Sequence, residues 1–314
     1  MHATRMVTAA CAAAGMSGAA MAQSEVSVYG RMNLSLEHQK TNGTTSNRLQ
    51  DNASRFGLKG IEDLGGGLNA GFQLESGFRA DTGAQAQTDF WARQSEVNLS
   101  GGLGTVRLGN FTSEAYFATA DYVSNHNHDT GTSADALYAY LGRNANKVSY
   151  RTPGFGGATV EVAGTLTEGI PANANQTYDL AANYNAGPLQ LGAGYEKNGQ
   201  ANQFAMRALY PFESFLLGGY VQRDHNGFAA GSRTNVRLSG AYLTGPHEFH
   251  LNVGRAGAYS EVPHSAAWQY TVAYNHKLSK RTKVYAFFTK LADGSAAVYG
   301  GDFSSIAAGI RHNF

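Results

Sequence analysis

The sequence predicts an all-β fold: a transmembrane antiparallel β-barrel of about sixteen strands, closed around a polar interior. Three observations predict it. Apolar and polar residues alternate with a period of two along most of the chain, and the breaks between alternating runs come in a short and a long kind that take turns. Beyond the first segment, no apolar run approaches the ~18 residues that a spanning helix requires.

The alternation begins at once. Between Glu25 and Glu37, Val26, Val28, Met32, Leu34 and Leu36 are apolar, whereas Arg31, Asn33, Ser35 and Glu37 are polar. Successive side chains of a strand point to opposite faces, so this spacing gives one greasy face and one wet one. The same rhythm sets Ala70, Phe72 and Leu74 against Asn69, Gln73 and Glu75, then Tyr178, Leu180 and Ala182 against Thr177, Asp179 and Asn183. It returns in Val236 and Leu238 against Asn235 and Arg237, and in Trp268, Tyr270, Val272 and Tyr274 against Gln269, Thr271 and Asn275.

Short breaks fall at Gly65-Gly66-Gly67, Gly101-Gly102, Pro153-Gly154, Gly187-Pro188, Gly245-Pro246 and Leu278-Ser279-Lys280. Longer polar breaks are expected over residues 41–51, 81–88, 112–142, 168–176, 224–233, 257–264 and 292–302. Tight turns at one end and extended loops at the other are expected of an outer-membrane barrel.

Composition agrees and excludes other classes. There are 39 Gly, 17 Tyr and 16 Phe with only 15% charged residues, too aromatic and too Gly-rich for a disordered chain. Lys and Arg total 24 against 23 Asp and Glu, so no nucleic-acid-binding surface is expected. A mean hydropathy of −0.32 is compatible with a membrane barrel, because only every second strand residue meets lipid.

Residues 1–22 carry Arg5, an Ala-rich apolar stretch and Ala20-Met21-Ala22, a small-x-small site; they read as a secretory signal peptide, leaving 23–314 as the barrel. The only cysteine, Cys11, lies in that leader without the bulky apolar residue expected before a lipid-modified cysteine. A mature chain without cysteine has no disulfides and draws its stability from a large closed structure. Aromatic residues gather toward strand ends, as at Tyr29, Trp91, Tyr150, Tyr195, Tyr210, Tyr259 and Trp268, where interfacial girdles lie.

Chemistry-bearing motifs are scarce. His126-x-His128 lacks a third ligand fixed by the sequence and reads as a pair of solvated loop histidines, so no metal or other cofactor is expected. No Gly-x-Ser-x-Gly elbow or carboxylate constellation is present, and no enzyme activity is expected. Gly65-Gly66-Gly67 is not followed by a helical pattern or Gly-Lys-Ser, so it is a turn rather than a phosphate cradle.

The run from Ser54-Arg55-Phe56-Gly57-Leu58-Lys59-Gly60 through Glu62-Asp63-Leu64-Gly65-Gly66-Gly67-Leu68 to Phe72-Gln73-Leu74-Glu75 closely resembles the second and third strands of Gram-negative general porins. Val26 to Gly30, the stretch from Arg93-Gln94 to Gly104-Thr105-Val106-Arg107-Leu108-Gly109, and the closing Gly309-Ile310-Arg311-His312-Asn313-Phe314 resemble the same family in the same order. The terminal Phe314 is similar to the signal by which the barrel-assembly machinery recognises such proteins.

The resemblance implies a homotrimer of sixteen-stranded barrels, set among outer-membrane lipid and lipopolysaccharide, passing small hydrophilic solutes and ions by passive diffusion. It also implies that a third external loop, residues 112–142 here, folds inward to constrict each pore. Carried over motif by motif, Arg55, Lys59, Arg93 and Arg143 form the basic wall of the constriction, opposed by Asp121, Asp129 and Asp135 on the loop beside His126 and His128. In Trp91, Arg93, Ser95 and Val97 the arginine shares parity with apolar residues, so its inward aim requires a bulge or a place near the strand end. The loop departs from the family in being less acidic, with Ser124-Asn125-His126-Asn127-His128-Asp129 at its centre. A mild anion preference is therefore expected, stronger below pH ~6.5 where histidines gain charge. A solute-specific channel and a loop-borne adhesin are the other readings; saturable block of conductance marks the first, and partner binding with little conductance the second.

Overall fold

The computed structural model describes residues 25–121, 131–167 and 175–314. Its strands are β1 (Glu25–Thr41), β2 (Thr44–Asp51), β3 (Arg55–Gly65), β4 (Leu68–Gly77), β5 (Gln94–Gly101), β6 (Gly104–Asn110), β7 (Lys147–Arg151), β8 (Ala158–Thr165) and β9 (Thr177–Ala186). They continue with β10 (Leu189–Asn198), β11 (Ala201–Phe212), β12 (Phe215–His225), β13 (Ser232–Thr244), β14 (His247–Ala256), β15 (Ala267–Lys277), β16 (Thr282–Ala292) and β17 (Phe303–Asn313). Apart from β2 and β3, successive strands pair antiparallel in one sheet, and β17 returns to β1.

Two of these segments are halves of one wall strand. Both β2 and β3 pair with β1, the first along residues 34–41 and the second along 25–31, so the barrel wall has sixteen strands. The interruption at Asn52-Ala53-Ser54 is a bulge held by hydrogen bonds: Ala53 takes a φ of +59°, the Asn52 amide donates to the Asn33 carbonyl at 2.8 Å, and the Asn33 amide donates to the Ser54 hydroxyl at 3.0 Å.

The wall closes where the chain ends. The Gly30 amide donates to the Phe314 carbonyl at 3.0 Å and the Phe314 amide returns a bond to Gly30 at 3.1 Å, extending the ladder from Arg31↔Asn313 to Thr41↔Phe303. Position 30 has to be glycine, because a Cβ there would collide with the Phe314 ring and lie 2.7 Å from the Arg55 carbonyl. A closed wall leaves no unpaired edge, which is the condition for strands to cross hydrocarbon.

The long connections gather at one end, as the sequence predicts, and short turns make up the other; two short turns, at residues 42–43 and 199–200, also fall at the loop end. The expected break over 41–51 is strand instead: Asn42 and Gly43, at φ +48° and +86°, make a two-residue hairpin, and the polar residues after them continue the ladder. Thr44 to Asp51 are polar on both faces except for Leu49, which the alternation rule reads as loop. The expected break over 224–233 likewise shortens to the gap between His225 and Ser232. Turns at Gly199-Gln200 and Glu213-Ser214 were not foreseen; the latter contains no Gly, and Glu213 itself adopts a φ of +51°.

Burial is inverted relative to a water-soluble protein. On β13, Asn235 and Arg237 are fully enclosed while Leu238 is 67% exposed; on β14, Asn252 is enclosed and Leu251 is 55% exposed. The apolar residues of every strand thus form a continuous outer surface, and hydrogen-bonded polar groups line the interior. Leu251 lies midway along β14 on that outer surface, so Leu251→Arg is expected to cost ~2–4 kcal/mol in lipid. Urea unfolding of the protein refolded in liposomes measures this, with Ser239→Ala on the inner face of β13 as a control of small effect.

Candidate functional site

The connection between β6 and β7 does not stand away from the barrel. It starts at Phe111, whose amide donates to the Asn144 carbonyl at 3.2 Å and whose ring lies 4.1 Å under the Arg107 guanidinium. Ser113 caps a short turn of helix, α1 (Glu114–Tyr116), by accepting from the Ala115 amide. A π-type turn over Phe117–Asp121 follows. Ala115, Ala118 and Ala120 are fully buried against the inner wall, which is bare there: a Cβ at Gly194 would lie 2.7 Å from the Ala115 carbonyl. Glycine on the wall and alanine on the loop allow two backbones to touch.

The returning half of the loop is fastened to the wall by side-chain amides. Gln269 on β15 donates to the Ala134 carbonyl (2.7 Å) and accepts from the Ala136 amide (2.9 Å). Asn235 on β13 donates to the Leu137 carbonyl (3.0 Å), and Gln222 on β12 grips both backbone groups of Ala139 at 2.9 and 3.0 Å. Glu196 on β10 accepts from the Leu141 amide at 3.0 Å. At the far side, Thr132 donates to Glu37 on β1 at 2.8 Å. Polar backbone in a closed interior has to find partners, and here the inward face of successive strands supplies them.

Buried charge adds a clamp. Asp135 pairs with Arg237 at 2.6 Å, accepts from the Tyr220 hydroxyl, and both charged groups are almost completely enclosed. Arg233 pairs with Asp224 at 2.7 Å and donates to the Leu137 carbonyl at 2.5 Å. Near the loop's start, Glu114 meets Arg151 at 2.5 Å, yet burial raises its carboxyl above the usual range against the pull of that arginine.

The inner wall carries its charge unevenly. Register sets Arg31 beside Arg55 on one side and Asn313 on the other, Arg311 beside Lys283, and Lys283 beside Lys277. This belt crosses β3, β1, β17, β16 and β15, with carboxylates only at its two ends. Glu75 at one end meets Arg93 at 2.6 Å and Arg55 at 3.5 Å; Glu248 at the other meets Lys277 at 2.6 Å and Lys283 at 3.3 Å. In the sector from β5 to β9 cations and anions interleave instead: Arg107 with Glu96 and Glu161, Arg151 with Glu161 and Glu114, Lys147 with Asp179.

Arg55 and Arg93 therefore stand together, and Arg93 does so from the residue just before β5, outside the strand parity that would have turned it toward lipid. Lys59 lies four residues farther along β3 over the Tyr29 ring, 5.5 Å from its centroid. Arg143 is apart from them, half-buried in the loop's return toward β7. Asp121 ends the π-type turn. Asp135, expected as a loop acid of the constriction, pairs with Arg237 and accepts from the Tyr220 hydroxyl on the wall; a carboxylate in such a recess looks the same in sequence as a free one. Asp129, His126 and His128, like the leader 1–22, lie outside the described residues. Arg31, Arg311, Lys277 and Lys283 were not singled out, although the inward parity of Arg31 and Arg311 was readable.

A closed wall, apolar outside and lined by opposed charges inside, is the architecture of a transmembrane channel barrel. The chain belongs to the Gram-negative porin family: the family model described as "Gram-negative porin" matches residues 7–295. It is 30% identical to the outer membrane porin protein 32 of Delftia acidovorans over 97% of this chain and 98% of that one. It is also similar to the solved structure of the anion-selective porin from Comamonas acidovorans, with a TM-score of 0.79, 26% identity, and coverage of 93% and 100% of the two chains. The trimer form of OmpT from Vibrio cholerae shares the fold at a TM-score of 0.71 and 12% identity, over 93% and 99%. The protein is thus a porin channel that crosses the bacterial outer membrane many times, its turns toward the periplasm and its long loops outside.

Proposed function

We propose that this porin lets small hydrophilic solutes and ions diffuse passively through the outer membrane, with a mild preference for anions and no enzymatic step. The observation that carries the preference is the belt Arg55, Arg31, Arg311, Lys283 and Lys277, matched by carboxylates only at its ends. Facing a charge-balanced sector, it sets up a field across the lumen that draws anions to one side. The loop over 112–142 narrows the opening, with Asp135 as its anchor; Lys59, Arg93 and Arg143 extend the basic surface, and Asp121 opposes it, with Asp129 assigned to the same role from the sequence alone. The description of the Comamonas acidovorans relative as anion-selective supports this reading.

The same reading takes residues 1–22 as a cleaved signal and Phe314 as the mark read by the assembly machinery. It takes the working unit as a homotrimer, in keeping with the trimer form described for the Vibrio cholerae neighbour, surrounded by outer-membrane lipid and lipopolysaccharide. Recording in planar bilayers tests it. Insertion is expected in conductance steps of three, with a reversal potential of the sign that chloride dictates under a potassium chloride gradient. Cation preference at neutral and acid pH would overturn the anion reading, and saturable block by one solute would replace passive diffusion with a specific channel.

A further inference from the structure

We propose that the periplasmic rim of the outer wall carries a site for a borderline transition-metal dication such as Cu2+ or Zn2+, with His247 on β14 and His276 on β15 as its ligands and Tyr274 holding one of the two imidazoles in place. The proposal rests on the porin reading only for its orientation, turns toward the periplasm.

No spacing along the chain joins these histidines; register does. His247 opens β14 just after the Gly245-Pro246 turn, His276 stands next to the end of β15, and the two are direct cross-strand partners. Their chain neighbours Glu248 and Asn275 are buried on the lumen side, so both imidazoles belong to the outer face. One step nearer the turn, the Lys277 amide donates to the Pro246 carbonyl at 2.8 Å, which makes those two residues a hydrogen-bonded pair. Such pairs alternate with non-bonded ones along an antiparallel ladder, and a non-bonded pair brings its Cα atoms to about 4.5 Å and its side chains closest. His247 and His276 occupy that tighter pairing. Their ring centroids are 4.9 Å apart and the ring planes are inclined by 48°, so that one nitrogen of each can point to a common ion.

The ring nitrogens are apportioned as a ligand pair requires. His247 Nδ1 is joined to the Tyr274 hydroxyl by a hydrogen bond of 2.7 Å, with the two rings within 22° of parallel. A ligating histidine characteristically gives its second N–H to a fixed acceptor, which sets both tautomer and orientation. With Nδ1–H donated to the Tyr274 oxygen, Nε2 keeps its lone pair for a metal. His276 has no hydrogen bond or ion pair among the described residues. Tyr274 is itself held by the Phe249 ring at 5.1 Å, beyond which stands Tyr242 at 6.4 Å from Phe249. This aromatic row has the place of an interfacial girdle, and the half-buried histidines lie on its aqueous side, where an ion reaches them from the periplasm without crossing hydrocarbon.

The surroundings select the ion. The other members of the same outward row are Thr244 on β13 and Val284 on β16, neither of them charged. The adjoining charges offset each other, since Lys277 pairs with Glu248 at 2.6 Å. No group of three or more histidines, cysteines or carboxylates forms among the described residues, so the protein supplies two ligands here and water completes the coordination. Two imidazoles without a carboxylate favour Cu2+, Ni2+ and Zn2+ over Mg2+ and Ca2+. The ion ties β14 to β15 at the end of the wall, beside the lumen rather than within it.

The test is a Cu2+ titration of the untagged mature oligomer in detergent at pH ~7.5, where imidazole ligands are deprotonated, followed by electron paramagnetic resonance of the bound ion, with Mg2+ as competitor. All titrated samples carry His126→Asn and His128→Asn, so that the loop histidines do not compete. One Cu2+ per chain is expected, with two imidazole nitrogens in its signal and no displacement by Mg2+. His247→Gln and His276→Gln are each expected to weaken uptake at least about tenfold, and Tyr274→Phe, which keeps both ligands and removes the orienting hydroxyl, about tenfold with two nitrogens retained. His312→Gln, at an outward histidine of β17 bonded to Thr282, is expected to leave uptake unchanged. Equal uptake by the His276→Gln variant would overturn the proposal. So would a signal from a single nitrogen, or several ions that survive both histidine substitutions, which means an adventitious ion only. Conductance of the wild type separates the two readings, since a conducting channel whose histidine pair takes up no Cu2+ defeats the metal site alone, whereas a wild type that does not conduct defeats the porin.

Discussion

Replacing Arg55 and Arg311 together by glutamate is expected to reverse the ion preference of the channel, carrying the reversal potential through zero to the cation side. Each change removes a positive charge and installs a negative one on the belt, and Arg55→Glu also places a carboxylate beside Glu75, which now shares Arg55 with Arg93. Opposed charges across a narrow aqueous lumen act over about one Debye length, ~10 Å at 0.1 M salt and ~3 Å at 1 M. The shift is therefore expected to be large in dilute electrolyte and much smaller in concentrated electrolyte. The outward pair Lys197→Glu and Arg255→Glu, of the same net charge, is expected to leave the potential near that of the wild type. A belt variant that kept its anion preference at 0.1 M would show that these residues do not govern permeation.

Asp135→Ala is expected to free the loop. Arg237 would remain enclosed without its counter-charge, keeping only Gln269 at 2.7 Å and Asn252 as partners. Breaking a buried pair from one side costs ~3–5 kcal/mol, while replacing both members by apolar groups of similar size is close to neutral. The single variant is thus expected to show higher and noisier single-channel current than the wild type. Adding Arg237→Met to it is expected to return the current most of the way, because no charge is then stranded. Quiet, wild-type current from Asp135→Ala would mean that the amide contacts of Gln269, Asn235 and Gln222 hold the loop by themselves.

The barrel was legible because its cause is local: each strand has to alternate to separate lipid from water, and the rhythm is printed in every run from Val26 to Ile310. The belt was not, although its members were. Arg31 and Arg311 each showed inward parity, but their adjacency depends on the register between the first and last strands, which no local pattern encodes. Arg93 shows the opposite case, where parity pointed to lipid and a strand beginning one residue later turned the guanidinium to Glu75. The loop's fastening was hidden for a chemical reason. Gln222, Asn235 and Gln269 are what any wet lumen would display, and only the structure distinguishes amides that face water from amides that hold a backbone. For Asp135 the place on the loop was readable, but its buried partner Arg237 was not. The Asn42-Gly43 hairpin carried a recognisable turn pair, whereas Glu213-Ser214 offers none, and its positive φ is imposed by the strands on either side.

The bond between Gly30 and Phe314 has a consequence for how the molecule comes into being. The ring is completed by β17, so a chain that lacks this strand is an open ribbon with two raw edges, prone to adhere to its like. Pairing the extremes of the polypeptide also imposes the longest possible search on the closing event, a topology that folds slowly when left to itself. Between export and insertion such a ribbon has to be escorted, and a chain cut short of β17 would arrive at the membrane with its seam unfastened.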